Sequence, residues 1–76
     1  MFKFNNLRAE MARKGLTSKQ VAAAIGISQK AFSNRMNGRT MFLMHEVVAI
    51  KNIFFPGFRL EYLFFEEFFE ELQKGA

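Results

Sequence analysis

In a short segment between two glycines, GISQKAFSNRMNG, five polar side chains that can form hydrogen bonds lie between Ser28 and Asn37. These are Gln29, Lys30, Ser33, Asn34 and Arg35. The amides and the hydroxyl both donate and accept, whereas the two cationic groups only donate. Side chains of these types recognise surfaces that present donors, acceptors and negative charge. Which surface they can contact depends on the element that carries them and on the face it turns outward.

The other reactive residue types form no catalytic or metal-binding pattern. The chain has no Cys and a single His, His45, without a second ligand or catalytic partner in the pattern around it. Its carboxylates cluster as Glu66-Glu67 and Glu70-Glu71 in a Phe-rich stretch, where a solvated helix face is the simpler interpretation. No phosphate-binding glycine loop is present. The sequence therefore predicts no enzyme, no catalytic residue, no metal site and no cofactor.

The length and the apolar pattern bound the class of protein. Seventy-six residues suffice for one domain, near the lower limit for a core without metals or crosslinks. The N-terminal apolar run is too short for a signal peptide, and no stretch approaches the roughly 18 apolar residues of a membrane span. The absence of Cys fits a reducing compartment. We expect a soluble cytoplasmic protein with no membrane association.

Charge is distributed unevenly along the chain. Residues 1–59 contain ten Lys and Arg against Glu10 and Glu46, which gives +8, whereas residues 60–76 contain Lys74 against five Glu, which gives −4. A basic body favours a polyanionic partner, because Lys and Arg that neutralise phosphates release condensed counterions. A surface kept soluble by its charge is the alternative explanation.

Capping signals predict that the chain begins with two helices. Asn5 or Asn6 can cap the first, and Gly15 can end it in the left-handed conformation. Thr17 starts the second and forms a T-x-x-Q capping box with Gln20, so that two orphan amides find partners.

Three further helices follow, with no alternating apolar pattern that predicts a strand. Ser28 caps the third, which runs to about Met36, and the fourth lies near residues 43–54. Pro56-Gly57 breaks the chain before a fifth helix that begins near Phe58 and reaches as far as Gln73. The predicted fold class is all-α.

The second and third helices are separated by only Gly26 and Ile27. A turn this short makes the helices cross steeply, which favours a small residue such as Ala22 at the contact. Phe32 and Met36, one turn apart, mark the inward face of the third helix. Its opposite face is left to the polar residues.

Residues 16–40, LTSKQVAAAIGISQKAFSNRMNGRT, resemble the helix-turn-helix of the lambda-repressor-like family, which includes phage Cro and repressor proteins and xenobiotic-response-element type regulators. The matching segments are Leu16-Thr17, Val21-Ala22, Gly26-Ile27-Ser28, Phe32-Ser33 and Asn37-Gly38. FPGFRLEYLF also resembles the start of the family's fifth helix. The likeness covers roughly residues 5–65. It implies a five-helix domain, with a DNA-binding part at 1–59, the motif at about 17–37, and an extended C-terminal helix at 60–76.

The resemblance also implies which residues contact DNA. Base-reading positions correspond to Gln29, Lys30, Ser33 and Asn34, and Gln can bond adenine while Lys can donate to guanine. Phosphate-contacting positions correspond to Ser18, Lys19, Arg35, Asn37, Arg39 and Thr40. Two positions depart from the family pattern. Ser18 replaces a frequent glutamine, and Arg35 replaces an aliphatic core residue, so Met36 is predicted to supply that packing.

The C-terminal helix has a pattern that predicts a homodimer. At about 100° per residue, its large apolar residues fall within an arc of roughly 140°. They are Phe64, Phe65, Phe68, Phe69 and Leu72. Leu60 and Leu63 point elsewhere, which predicts that the first turn packs on the domain while the rest projects into water and forms a dimer interface. The alternative folds this apolar arc back onto its own domain.

Together these features predict a sequence-specific double-stranded DNA-binding transcription regulator, similar to a phage or prophage repressor or to Cro. The expected partners are a palindromic operator and a second copy of the chain, with no small-molecule ligand. Two alternatives remain open. One is the antitoxin of a toxin-antitoxin pair, and the other is a protein-interaction module that uses the Phe-rich C-terminal helix.

Overall fold

The computed structural model describes residues 3–74, apart from the side chains of Glu71 and Lys74. Within that range the chain forms helices and no strand, which confirms the all-α prediction. The helices are α1 (Asn5–Lys14), α2 (Ser18–Ile25), α3 (Gln29–Met36), α4 (Met44–Phe54) and α5 (Glu66–Lys74). A π-helical turn, Glu61–Phe65, leads directly into α5. None of the helices in this range has the length and apolar character needed to cross a membrane.

The local caps of α2 and α3 form as predicted. The Thr17 hydroxyl accepts from the Gln20 amide at 3.1 Å, and the Gln20 side chain accepts from the Thr17 amide at 2.9 Å. The Ser28 hydroxyl accepts from the Ala31 amide at 3.0 Å. Gly15 ends α1 with a φ of 67°, a backbone conformation that favours glycine. These contacts fix the bounds of the short helices before α4.

The start of α1 differs from the prediction of an Asn cap. Neither Asn5 nor Asn6 caps it, because the Asn6 side chain instead donates to the Tyr62 carbonyl at 2.8 Å. The Glu67 carboxylate takes the capping role, accepting from the backbone amides of Lys3 at 3.0 Å and Asn5 at 2.5 Å. A residue of α5 thus satisfies the amino end of the first helix.

A single apolar core joins the four helices α1–α4 to the π-helical turn. Its fully or nearly fully buried members are Leu7, Met11, Val21, Ala22, Phe32, Met36, Val47, Ile50, Phe55, Leu63 and Phe64. Met36 lies among them, as predicted from the polar residue that precedes it. Leu63 is 1% exposed, so the first part of the C-terminal helix does pack on the domain.

Phe64 was predicted to lie in a dimer interface, and this is wrong. It is 4% exposed and packs edge-on against Phe4 and Phe42, with ring centroids at 6.0 and 5.6 Å. The helical wheel assumed α-helical spacing, whereas Phe64 lies in the wider π-helical turn, which faces the core. Phe65 is half-buried against the same core. Only Phe68, Phe69 and Leu72 of the predicted interface are largely exposed.

Candidate nucleic-acid interface

The turn between α2 and α3 fixes how α3 is presented. Gly26 takes a φ of 79°, and the Ile27 amide donates to the Ala22 carbonyl at 3.0 Å, which closes α2 before Ser28 opens α3. The inward side of α3 is then set by Phe32 and Met36, which are 0% and 4% exposed. Two buried side chains one turn apart leave α3 no freedom to rotate about its axis. The outward arc is therefore fixed as well.

The four residues predicted to read bases lie on α3 at two levels of exposure. Gln29 and Lys30, in the first turn, are exposed, whereas Ser33 and Asn34, one turn later, are half-buried. The Asn34 carbonyl accepts from the backbone amides of Arg39 at 2.9 Å and Thr40 at 3.3 Å, so the following loop folds back over the carboxyl end of α3. The first turn of α3 is its most accessible part.

A depression of about 260 Å³, lined by both polar and apolar side chains, lies between α1, the start of α2 and the end of α3. Its polar lining residues are Arg8, Ser18, Ser33 and Asn37. Two predicted phosphate positions and one predicted base position thus meet here. Groups of this type, beside a helix amino end, can hold an anionic oxygen.

Arg8 was not assigned a role from the sequence, and it ties α1 to the end of α3. Its Nη2 donates to the Met36 carbonyl at 2.9 Å and to the Asn37 Oδ1 at 3.1 Å, while its Nε donates to the Lys3 carbonyl at 2.6 Å. The last carbonyls of a helix have no intrahelical partner, so a guanidinium at this position fixes the helix end. The sequence signal was only one of several cations before α2.

Arg35 was predicted to contact a phosphate, and this is wrong. Its side chain is 17% exposed and turns inward, where Nε donates to a Glu46 carboxylate oxygen at 2.7 Å and Nη1 donates to the Ala31 carbonyl at 3.1 Å. The side chain of Glu46, which belongs to α4, is 2% exposed. A guanidinium that pairs with a buried carboxylate is not available to a phosphate.

Glu46 stays ionised because its partners outweigh its burial. Burial alone raises the pKa of Glu46. The hydrogen bond from the Leu43 amide at 2.9 Å lowers it, as do the hydrogen bond from Arg35 and the Arg35 charge, and together these outweigh the effect of burial. The pKa of Glu46 therefore lies below its ordinary value of 4.5. This charged pair links α3 directly to the start of α4.

The remaining predicted phosphate residues do not all line the same depression. Lys19 and Arg39 are exposed near the start of α2 and after the end of α3. Thr40 is exposed too, but it lines a separate apolar groove formed with α4 and the C-terminal helix. The structure thus brings Ser18 and Asn37 together and leaves Thr40 apart from them. Among the described residues, no group of three or more His, Asp or Glu side chains could hold a metal ion.

The chain matches no protein-family model, and comparison with curated proteins and with solved structures gave no significant match.

Proposed function

We propose that the chain is a sequence-specific double-stranded DNA-binding transcription regulator, similar in type to a phage repressor or Cro. The observation that carries this proposal is the orientation of α3. Its apolar residues Phe32 and Met36 are buried, while Gln29 and Lys30 stand exposed in its first turn. An isolated amphipathic helix could show the same pattern, but here it follows α2 across the three residues Gly26, Ile27 and Ser28.

This arrangement suits the major groove of B-DNA. The groove is about 12 Å wide and admits an α-helix, and each base pair presents a distinct set of donors and acceptors there. Gln29 can form two hydrogen bonds with adenine, and Lys30 can donate to guanine O6 and N7. Ser33 and Asn34 are half-buried, so we propose that they contact DNA only once α3 lies inside the groove.

The surface charge of the body supports a polyanionic partner. The only two carboxylates in residues 3–59, Glu10 and Glu46, are 5% and 2% exposed, and each pairs with an arginine. Of the remaining cations of that segment, all but the half-buried Lys51 are exposed, and the segment has no exposed carboxylate near them. Lys19 and Arg39 lie at the two ends of the α2–α3 unit, where they can contact phosphates on either side of the groove.

Mapping backbone amide signals by NMR while duplex DNA is added tests this proposal. We expect the largest shifts in residues 29–34 of α3 and at Ser18, with small changes along residues 48–53 of α4. The mapping is informative even with weak non-specific binding, because phosphate contacts alone place the protein on the duplex. Shifts concentrated in α4 or α5, or none at millimolar duplex, would contradict the proposal.

A further inference from the structure

An apolar groove separates the loop before α4 from the C-terminal helix. It encloses about 510 Å³, and six of its lining residues are Phe4, Met41, Phe42, Met44, Phe65 and Phe68. Met41 is 86% exposed and Met44 is 62% exposed, which is unusual for large apolar residues on a small domain. This groove could not be predicted from the sequence, because its two walls come from segments more than twenty residues apart.

Next to the groove, α5 presents an apolar stripe made of Phe68, Phe69 and Leu72. Phe69 and Leu72 are 49% and 57% exposed, and Phe68 belongs to both the stripe and the groove. Groove and stripe therefore form one continuous apolar surface. We infer that the groove binds the apolar stripe of a second copy of the chain, so that two copies exchange this contact reciprocally.

The exposed area is sufficient for such a dimer. The exposed portions of Met41, Met44, Phe68, Phe69 and Leu72 amount to roughly 600 Å², taking about 200 Å² for each fully exposed residue. A standard specific interface buries about 600 to 1,000 Å² on each partner. A two-fold axis at the edge where groove and stripe meet places the stripe of each copy on the groove of the other copy, since the same surface serves both copies.

Charge favours the groove over the other obvious arrangement, in which two α5 helices pack on each other. Residues 60–76 carry a net charge of −4, from one Lys and five Glu, so helix-on-helix packing brings two acidic segments together. Stripe-in-groove packing places each acidic helix between the partner's own C-terminal segment and the wall that residues 1–59 supply, and those residues carry +8 from ten cations and two Glu. Opposite charges steer this second encounter. The dimer requires no DNA, so this inference is independent of the proposed function.

Two charge variants test the contact by analytical ultracentrifugation. Met44→Glu alters the groove, and Leu72→Lys alters the stripe. Both are expected to fold, because the Glu lies in the first turn of α4 and the Lys near the carboxyl end of α5, where these charges suit the helix dipole. Ile53→Lys is the matched control, since Ile53 is 53% exposed and does not line the groove.

We expect the wild type and Ile53→Lys to sediment at twice the 8.8 kDa chain mass at micromolar concentration. Each charge variant alone should be monomeric with an unchanged circular dichroism spectrum, and an equimolar mixture of the two should dimerise again. In that mixed dimer one contact is wild type and the other pairs the new Glu with the new Lys. Met41→Glu, in the loop before α4, gives a second reading of the groove if Met44→Glu unfolds.

Three outcomes would overturn the inference. A monomeric wild type would mean that the groove takes some other occupant or none. If Met44→Glu and Met41→Glu both remain dimeric while Leu72→Lys is monomeric, the two copies pack through α5 on α5 and not through the groove. A mixture that stays monomeric would show that Met44 and Leu72 of different copies do not meet.

Discussion

At the scale of single residues, the pair of Arg35 and Glu46 decides the orientation of α3 as much as the apolar core does. The carboxylate lies at the start of α4 and accepts hydrogen bonds from both Arg35 and the Leu43 amide. It therefore joins the carboxyl half of α3 to α4 through charged groups whose geometry is fixed. A helix that reads another surface benefits from such support, because small rotations would move its outward side chains.

We predict that Arg35→Met destabilises the domain by about 3 to 5 kcal/mol, because it leaves the Glu46 carboxylate buried without its charged partner. Urea denaturation measures this change. The double substitution Arg35→Met with Glu46→Leu should recover a large part of the loss, since it removes both buried charges. Arg59→Met is the control, because the contact of Arg59 with Glu61 at 3.8 Å lies on the surface. A loss as small as that of the control would show that the pair is not needed.

The same carboxylate predicts a pH dependence of stability. The pKa of Glu46 is lower in the folded chain than its ordinary value of 4.5, so the folded state favours the ionised form. Its contribution is fully present above that pH and is lost as the pH falls through the lowered folded pKa. The difference in unfolding free energy between the wild type and Glu46→Gln should therefore shrink below pH 4.5. A difference independent of pH would mean that Glu46 does not titrate in this way.

The sequence predicted part of this residue-level picture. The exposure of Gln29 and Lys30 followed from the Ser28 cap and from the apolar residues of α3, which are local signals. The role of Arg35 could not be predicted in the same way, because its partner lies eleven residues away in another helix. The prediction of a phosphate contact for Arg35 overlooked that a cation can turn inward to pair with a buried carboxylate.

At the scale of elements, the π-helical turn explains how the C-terminal helix meets the rest of the chain. Its wider turn places Leu63 and Phe64 in the core and brings Glu67 onto the amino end of α1. The hydroxyl of Tyr62, in the same turn, donates a hydrogen bond to the buried Glu10 carboxylate at 2.8 Å. That hydrogen bond and burial raise the pKa of Tyr62. With the Asn6 hydrogen bond to the Tyr62 carbonyl, the first helix and the C-terminal helical segment are linked at three points.

Glu67→Ala tests the capping link. We predict a loss of about 0.5 to 2 kcal/mol in unfolding free energy, the range for removing a side-chain cap, because two backbone amides lose their acceptor. Glu70→Ala on the exposed face of α5 is the control and should change stability by much less. Thermal or urea unfolding of both variants provides the comparison. Equal effects would mean that the Glu67 contacts with the chain before α1 do not persist in solution.

Whether a helix end could be predicted depends on how far along the chain its capping residue lies. The bounds of α2 and α3 could be predicted because their caps lie within three residues of the helix start. The cap of α1 could not, because Glu67 is 62 residues from Asn5. The π-helical turn could not be predicted either, because a helical wheel drawn at a constant angle per residue contains no information about an inserted residue.

At the scale of the whole molecule, the chain separates its charges along its length. The body turns its two carboxylates inward and presents cations, while the acidic residues lie on the C-terminal helix. In the proposed DNA complex, this layout lets phosphates approach the α2–α3 unit and keeps α5 away from them. In the proposed dimer, the same separation favours contact between the acidic helix of one copy and the body of the other.

Arg39 belongs to this cationic surface and provides a test of it. We predict that Arg39→Ala weakens binding to every duplex and lowers the slope of log affinity against log salt by about one unit, because one phosphate contact is lost. Sequence preference should survive. Arg59→Ala, an exposed cation of the segment between α4 and the π-helical turn, is the control and should leave the slope near the wild-type value. An unchanged slope for Arg39→Ala would remove this residue from the interface.

Selection of bound duplexes from a random-sequence pool tests the central claim most directly, because it asks whether α3 reads bases. We predict enrichment of an inverted repeat whose half-sites are centred about 34 Å apart, one helical turn, as two copies of α3 on one DNA face require. On that site Gln29→Ala should cost about 1 to 3 kcal/mol, with little loss on random DNA. A pool that stays random after repeated rounds, or equal losses for Gln29→Ala on selected and random DNA, would contradict base reading by this helix.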